Sequence, residues 1–219
     1  MLERTLEPEV MDDHADALAY DVMDHAEVNR AFVDDLRMLG KITGEVLDVG
    51  TGTSQIPITL CRCLPSARVM AIDLSAAMLD LAMANVAHAG LTERITLRHV
   101  DAKRLPLEND RFDAVVSNSI VHHVADPMDV LREAWRVLRP GGHIFFRDLM
   151  RPRDVVRLEA LVETHALDAT PRQRELFADS LHAALRLDET RELIAELGIS
   201  PETVTATSDR HWTWSAVKS

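Results

Sequence analysis

The chain has 219 residues, 47% hydrophobic and 4% aromatic, with 24 Lys and Arg against 36 Asp and Glu for a formal net charge of -12. That length suits one large α/β domain with a mostly aliphatic core. The charge disfavours a polyanionic partner, because nucleic-acid binding leaves a basic footprint that is missing here. Cys61 and Cys63 are too few and too close for a disulfide framework. The opening MLERTLEPEV lacks the apolar core of a signal peptide, and no stretch approaches the roughly 18 apolar residues of a membrane span. A cytoplasmic protein with no membrane or nucleic-acid partner is expected.

In chain order, Val10 to Leu39 reads as a helix, with Phe32, Val33, Leu36 and Leu39 at helical spacing. Glu45 to Val49 is a short apolar strand running into Gly50. Ser54 to Leu64 reads as a helix closed by Pro65, and Arg68 to Ile72 as a second strand ending at Asp73. Ser75 is placed to cap a helix from Ala76 to Ala89, with Gly90 as its stop. Ile95 to Val100 and Phe112 to Ser117 are the third and fourth strands. A helix from Met128 to Leu138 ends at Pro140-Gly141-Gly142, before a fifth strand from His143 to Arg147. Helices follow over Asp154 to Leu167, Arg172 to Leu185 and Asp188 to Leu197. Val204 to Ala206 and His211 to Val217 read as two closing strands.

Strands alternating with helices argue for βαβ units and a parallel sheet with helices on both faces. The expectation is a Rossmann-like α/β fold: a mostly parallel seven-stranded sheet in a single domain over 1–219. Residues 1–44 would be N-terminal helices, 45–149 the ligand-binding core, 150–202 a helical insertion and 203–219 the closing strands. Such sheets bind ligands outside the carboxyl ends of their strands.

The strongest chemical signal is Val46-Leu47-Asp48-Val49-Gly50-Thr51-Gly52-Thr53-Ser54. Gly50 and Gly52 allow positive φ and close approach of a ligand to the backbone. The helix that follows offers free N–H groups to an anion. Asp73, at the end of the second strand, can accept hydrogen bonds from ribose hydroxyls. Asp101, after the third strand, can accept from an adenine amino group. Each alone also reads as an ordinary turn, cap or loop residue. Together, the carboxylates of Asp48, Asp73 and Asp101 at successive strand ends point to a nucleoside.

From Glu45 to Leu149 the sequence resembles the class I S-adenosylmethionine-dependent methyltransferases, nearest to the ubiquinone/menaquinone-biosynthesis type. The resemblance lies in VLDVGTGTS, AIDLSAAML, VDAKRLPLENDRFDAVVSNSIVHHV and LREAWRVLRPGGHIFFRDL, in the family's order. It implies S-adenosylmethionine as cofactor and methyl transfer to a small-molecule acceptor. Gly50, Thr51 and Gly52 would border the methionine moiety, with Asp48 supporting the turn or the ammonium. Asp73 would hold the ribose, and Leu74 and Met78 would flank the adenine. Asp101 would bond the adenine amino group, and the Ala102 N–H a ring nitrogen. Asn118 and Ser119 would lie beside the methionine portion, and Tyr20 would belong to a lid. Thr53 stands where the family has a third glycine, and its hydroxyl could bond the cofactor carboxylate. His122 and His123 follow the fourth strand on the acceptor side. Either could be a general base or a packing residue; the resemblance places His123 nearer the acceptor.

Other features read as structural. Cys61 and Cys63 on a helix point about 200° apart, which is not metal spacing, and no metal is expected. Trp212 and Trp214 share a strand face and suit a core. Arg147, Arg151 and His211 form either a small polar site or ordinary paired charges. The absence of an Asn-Pro-Pro-Tyr-like motif at Ser117-Asn118-Ser119-Ile120 argues against the amino methyltransferases of adenine or glutamine. Two alternatives stay open: an S-adenosylmethionine enzyme with a non-methylating, cyclase-like reaction, and a non-catalytic partner subunit. A dinucleotide oxidoreductase would want a third glycine. Monomer and homodimer are both compatible with the sequence.

Overall fold

A computed structural model describes residues 1–219 apart from 11, 13, 23–25, 41 and 43, and at 16 the backbone alone. The helices are α1 (His14–Asp21), α2 (Ala26–Met38), α3 (Gln55–Cys63), α4 (Ala76–His88), α5 (Met128–Val137), α6 (Val155–His165), α7 (Pro171–Ala183) and α8 (Leu187–Glu196). The strands are β1 (Glu45–Val49), β2 (Arg68–Asp73), β3 (Ile95–His99), β4 (Phe112–Asn118), β5 (Leu138–Leu149), β6 (Val204–Ala206) and β7 (His211–Val217). They form a seven-stranded sheet in the order β3-β2-β1-β4-β5-β7-β6. The pairs β1–β2, β1–β4 and β2–β3 are parallel and β6–β7 is antiparallel. Strand order reverses between β1 and β4, and in open α/β sheets that switch point opens the crevice where ligands sit.

By compactness the chain divides into two units. One contains 10–118, 129–146 and 215–219; the other contains 1–9, 119–128 and 147–214. In the first, Val46, Leu47 and Val49 of β1 and Ala114, Val115 and Val116 of β4 are all buried. These strands are covered on both faces, which is why they read as continuous apolar runs. Phe32, Val33 and Leu36 of α2 join Ile58, Leu60 and Cys61 of α3 in this core. Both cysteines are free, Cys61 buried and Cys63 half-buried. In the second unit, Leu149, Leu158, Leu161, Leu181 and Ala184 form a separate cluster. Trp212 and Trp214 are fully buried, as a core role requires.

Two sequence expectations need correction. The single helix from Val10 to Leu39 is two helices among the described residues, with Val22 in a turn; residues 23–25 lie outside the described set. The apolar stripe belongs to α2 alone. Among the described residues of α1 only Ala17 is fully buried, while Leu18 and Tyr20 are exposed. The fifth strand is also longer than expected and runs back through Pro140-Gly141-Gly142. The Gly141 N–H donates to the Lys218 carbonyl and the Gly142 carbonyl accepts from Lys218 N–H. A pairing partner from the far end of the chain thus turns an apparent helix stop into strand.

Gly142 shows how tight that start is. A Cβ there would lie 2.7 Å from Leu138 Cδ1, 2.9 Å from the Arg139 carbonyl oxygen and 3.0 Å from the Asp113 carbonyl oxygen. Two of the three neighbours are backbone and cannot swing away. Gly142→Ala is expected to destabilise the fold by roughly 1–3 kcal/mol, as overpacking does. A denaturant midpoint equal to wild type would contradict the packing described here.

Candidate functional site

The glycine turn leaves β1 at the switch point. Gly50 has φ +71° and Gly52 φ +53°, and the N–H groups of Gly50 and Thr51 both donate to the Ile72 carbonyl. A Cβ at Gly52 would meet nothing within 4 Å. Packing within the protein therefore does not demand glycine at 52; the positive φ and room for a ligand against the backbone do. Ser54 also takes a left-handed conformation, at φ +64°, before α3 begins.

Asp73 ties the turn to the end of β2. Its Oδ2 accepts from Gly52 N–H at 2.7 Å and its Oδ1 from Ser75 N–H at 2.9 Å. The cap of α4 is Ser75, whose hydroxyl accepts from Met78 N–H, so Asp73 is not spent as a helix cap. A carboxylate has about four acceptor positions, leaving capacity toward a ligand hydroxyl. Burial pushes its pKa up, against the backbone donors that pull it down.

Asp48 is 2% exposed. Burial raises its pKa to about 7, opposed by a hydrogen bond from Thr51 and reinforced by the charge of Asp73. Thr51 Oγ1 and Ser54 Oγ lie 3.1 Å apart. Thr53 is buried, and its hydroxyl has no hydrogen-bond partner among the described residues. That orphaned hydroxyl, the open face of Gly52 and the carboxylate pair match the donors and acceptors that an amino-acid-bearing nucleoside would need.

The surrounding residues fall into place unevenly. Asp21 of α1 accepts from Asn85 at 2.8 Å and Gln55 at 3.3 Å, and Asn85 also donates to the Thr53 carbonyl. This anchors the end of α1 beside the turn. Tyr20 is 39% exposed by area. Its phenolic end is desolvated, and burial first, then Asp73 and Asp21, push its pKa up. Leu74 is half-buried. Met78 packs with Ala17, Ala77 and Leu81. Asp101 accepts from Lys103 N–H at 2.9 Å in a local turn, with Ala102 next to it. Asn118 is the last residue of β4, and Ser117 Oγ donates to the Val49 carbonyl.

In the other unit, Ser119 has φ +61° and donates its N–H to the Arg147 carbonyl. A 3-10 turn, Val121–His123, follows. His122 is 3% exposed; its Nδ1 lies 2.5 Å from Asp148 Oδ1 and its Nε2 3.4 Å from Glu7 Oε1. Asp148 also accepts from Val121 and Leu149 N–H. Burial would raise the Asp148 pKa, but the charge and hydrogen bond of His122, helped by these two N–H groups, hold it low; in turn the charge and hydrogen bond of Asp148 outweigh burial to raise the His122 pKa. His123 Nδ1 is 3.1 Å from Glu7 Oε1, but the angle makes no hydrogen bond and the nitrogen has no such partner among the described residues. Burial and the neighbouring His122 lower the His123 pKa to about 3, so it is neutral.

Glu7 and Asp148 escaped the sequence reading, as did Arg4, which donates to the carbonyls of Ala183, Ala125 and Val124 and pins the N-terminal strap. A signal existed for Asp148: it is a fourth carboxylate at a strand end. Glu7 had none, since 115 residues separate it from His122. Arg147, Arg151 and His211 each have a partner of their own, and after burial and Arg210 the charge of Arg147 also lowers the His211 pKa, to about 4. Arg147 donates to Thr213 Oγ1, His211 shares a hydrogen bond with Ser208, and Arg151 pairs with Glu189 at 2.6 Å.

The chain is similar to known methyltransferases in sequence and fold. Residues 47–146 match the methyltransferase domain family. The chain is 31% identical over 114 residues to the ubiquinone/menaquinone biosynthesis C-methyltransferase UbiE of Geotalea daltonii, covering 52% of this chain and 48% of that one. It is 30% identical over 157 residues to the 27-O-demethylrifamycin SV methyltransferase of Amycolatopsis mediterranei, covering 72% of this chain and 54% of the relative. The chain thus spans about half the length of these curated relatives. Its fold is shared with an S-adenosylmethionine-dependent methyltransferase from Aquifex aeolicus, at TM-score 0.70, 19% identity and coverage of 94% and 99%. It is shared too with the plantazolicin methyltransferase BpumL in complex with S-adenosylhomocysteine, at TM-score 0.67, 16% identity and coverage of 94% and 90%. Residues 47–146 thus match the methyltransferase domain family, on a fold shared with S-adenosylmethionine-dependent methyltransferases.

Proposed function

We propose that this protein binds S-adenosylmethionine at the β1–β4 switch point and transfers its methyl group to a small-molecule acceptor, with S-adenosylhomocysteine as the second product. The observation that carries this reading is the Gly52–Asp73 contact of 2.7 Å, which joins the glycine turn to the acidic strand end. The cofactor supplies a methyl group on a sulfonium; the bond from carbon to sulfur breaks as the bond to the acceptor forms. The residues assigned to hold it are Tyr20, Asp48, Gly50, Thr51, Gly52, Thr53, Asp73, Leu74, Met78, Asp101, Ala102, Asn118 and Ser119. Positioning can supply much of the rate of an in-line displacement. His122 and His123 are assigned to the acceptor side. His122 is the better-oriented of the two, since Asp148 holds its Nδ1.

The net charge of -12 favours a small acceptor over a polyanion. No helix among the described residues is long and apolar enough to cross a membrane. With both cysteines unbonded, this supports a cytoplasmic setting. Incubation with methyl-labelled S-adenosylmethionine and a panel of small phenolic and quinol acceptors tests the reading. Label in an acceptor together with S-adenosylhomocysteine supports it. Cofactor consumption that yields no labelled acceptor points instead to a non-methylating reaction.

Asp48 gives a pH signature. Its folded pKa, about 7, lies above the ordinary 3.8. Its contribution to stability is therefore fully present below the unfolded value and is lost as pH rises through about 7. An ammonium group beside it would favour the ionised form and expel the proton. Affinity for S-adenosylmethionine is expected to rise up to about tenfold per pH unit below about 7, with proton release visible as a buffer-dependent calorimetric enthalpy. Asp48→Asn should flatten the profile. A wild-type affinity independent of pH over that range would remove Asp48 from the ammonium.

A further inference from the structure

Glu7, His122 and His123 bring a carboxylate oxygen and two imidazole nitrogens within 4.8 Å of one another. Glu7 Oε1 is 3.4 Å from His122 Nε2 and 3.1 Å from His123 Nδ1. Ligands about 2.0–2.1 Å from a zinc ion sit about 3.3 Å apart in a tetrahedral shell; the two separations from Glu7 are of that size, and the third lies within 4.8 Å. The donor set, two imidazoles and a carboxylate, suits first-row divalent ions.

The second shell is also in place. The Nδ1 of His122 bonds to Asp148, whose oxygens are further fixed by two backbone N–H groups. Metal-ligating histidines characteristically give their other nitrogen to such a carboxylate, which fixes the tautomer and orients the ring. The hydrogen-bond pattern leaves His123 Nδ1 buried and without a hydrogen-bond partner among the described residues. That nitrogen belongs to a neutral ring, the form that ligates metal. An open pocket lined by Thr5, Leu6, Glu7, Pro8, Asp179 and His182 gives Glu7 a route to solvent.

We propose that Glu7 Oε1, His122 Nε2 and His123 Nδ1 form a site for one first-row divalent transition-metal ion, with a fourth position left to water. The site would staple the N-terminal strap to the turn after β4. A metal ion and a proton exclude each other at His122 Nε2, so any base role of His122 belongs to the metal-free protein. The inference does not depend on the methyl-transfer reading.

Chelator-treated protein of this sequence is titrated with Zn²⁺ by calorimetry and with Co²⁺ by visible absorption. One ion per chain is expected, with a Co²⁺ d–d spectrum of low-symmetry four- or five-coordination. Glu7→Gln and His123→Ala should each weaken binding at least 10-fold and Asp148→Asn about 10–100-fold, while His165→Ala leaves it unchanged. Thermal melts without metal check that each variant is folded. His123→Ala, at a partly exposed position, keeps the test available if the buried variants fail to fold. Binding of less than one ion per chain, or binding unaffected by Glu7→Gln and His123→Ala, would overturn the proposal. S-adenosylmethionine affinity of the metal-free protein, measured in parallel, reports on the cofactor pocket separately.

Discussion

Asp73→Ala is expected to weaken S-adenosylmethionine binding about 10- to 150-fold, the loss of a charge-assisted contact worth roughly 1.5–3 kcal/mol. Asp73 also accepts from Gly52 and Ser75 N–H, so truncation loosens the turn as well as removing the contact. Asp73→Asn separates these effects, because an amide keeps one acceptor oxygen but loses the charge. Both variants should stay folded, since the apolar cores of β1, β2 and β4 do not include this side chain. Cofactor binding by a folded Asp73→Ala protein at wild-type affinity would sink the assignment.

Alanine at both His122 and His123 is expected to lower kcat/KM about 10²–10⁴-fold in metal-free enzyme, the range for loss of a general base. Cofactor affinity should hold, because the residues assigned to it are on other elements. His122→Ala leaves Asp148 buried beside two backbone donors without its imidazole, so a melt must accompany the assay. His123→Ala is milder. A small loss for His123→Ala and a large one for His122→Ala would assign the work to the ring that Asp148 orients. Near-wild-type turnover by the double variant would take histidine out of the reaction.

The five core strands were legible because their signals are local. Each has apolar residues at its centre and runs into Gly, Asp or Asn, and β1, β2, β3 and β4 fall within one residue of their expected ends. The Ser75 cap was legible for the same reason: its hydroxyl accepts from Met78 N–H. What failed depended on distant residues. Lys218 converts Pro140-Gly141-Gly142 from a stop into strand. The break between α1 and α2 was hidden because the periodicity of Phe32, Val33 and Leu36 is strong enough to colour the segment before it.

The site divides along the same line. Asp48, Gly50, Gly52 and Asp73 converge because a parallel sheet brings strand ends together, and spacing alone anticipates that. Histidine partners at Glu7 and Asp148 arise from tertiary placement of a strap and of the end of β5, which spacing does not encode. The sequence reading favoured His123, whereas the orienting carboxylate sits on His122. The two rings lie side by side, with centroids 4.2 Å apart, and no pattern in the letters says which one meets Asp148.

The central claim is that the turn at Gly50–Ser54 and Asp73 hold S-adenosylmethionine, and calorimetric titration of the wild-type chain tests it most directly. The account predicts saturable binding of one S-adenosylmethionine per chain, competition by S-adenosylhomocysteine, proton release near neutral pH and a higher melting temperature with ligand present. A titration without saturable heat, together with a melting temperature unmoved by excess ligand, would contradict it.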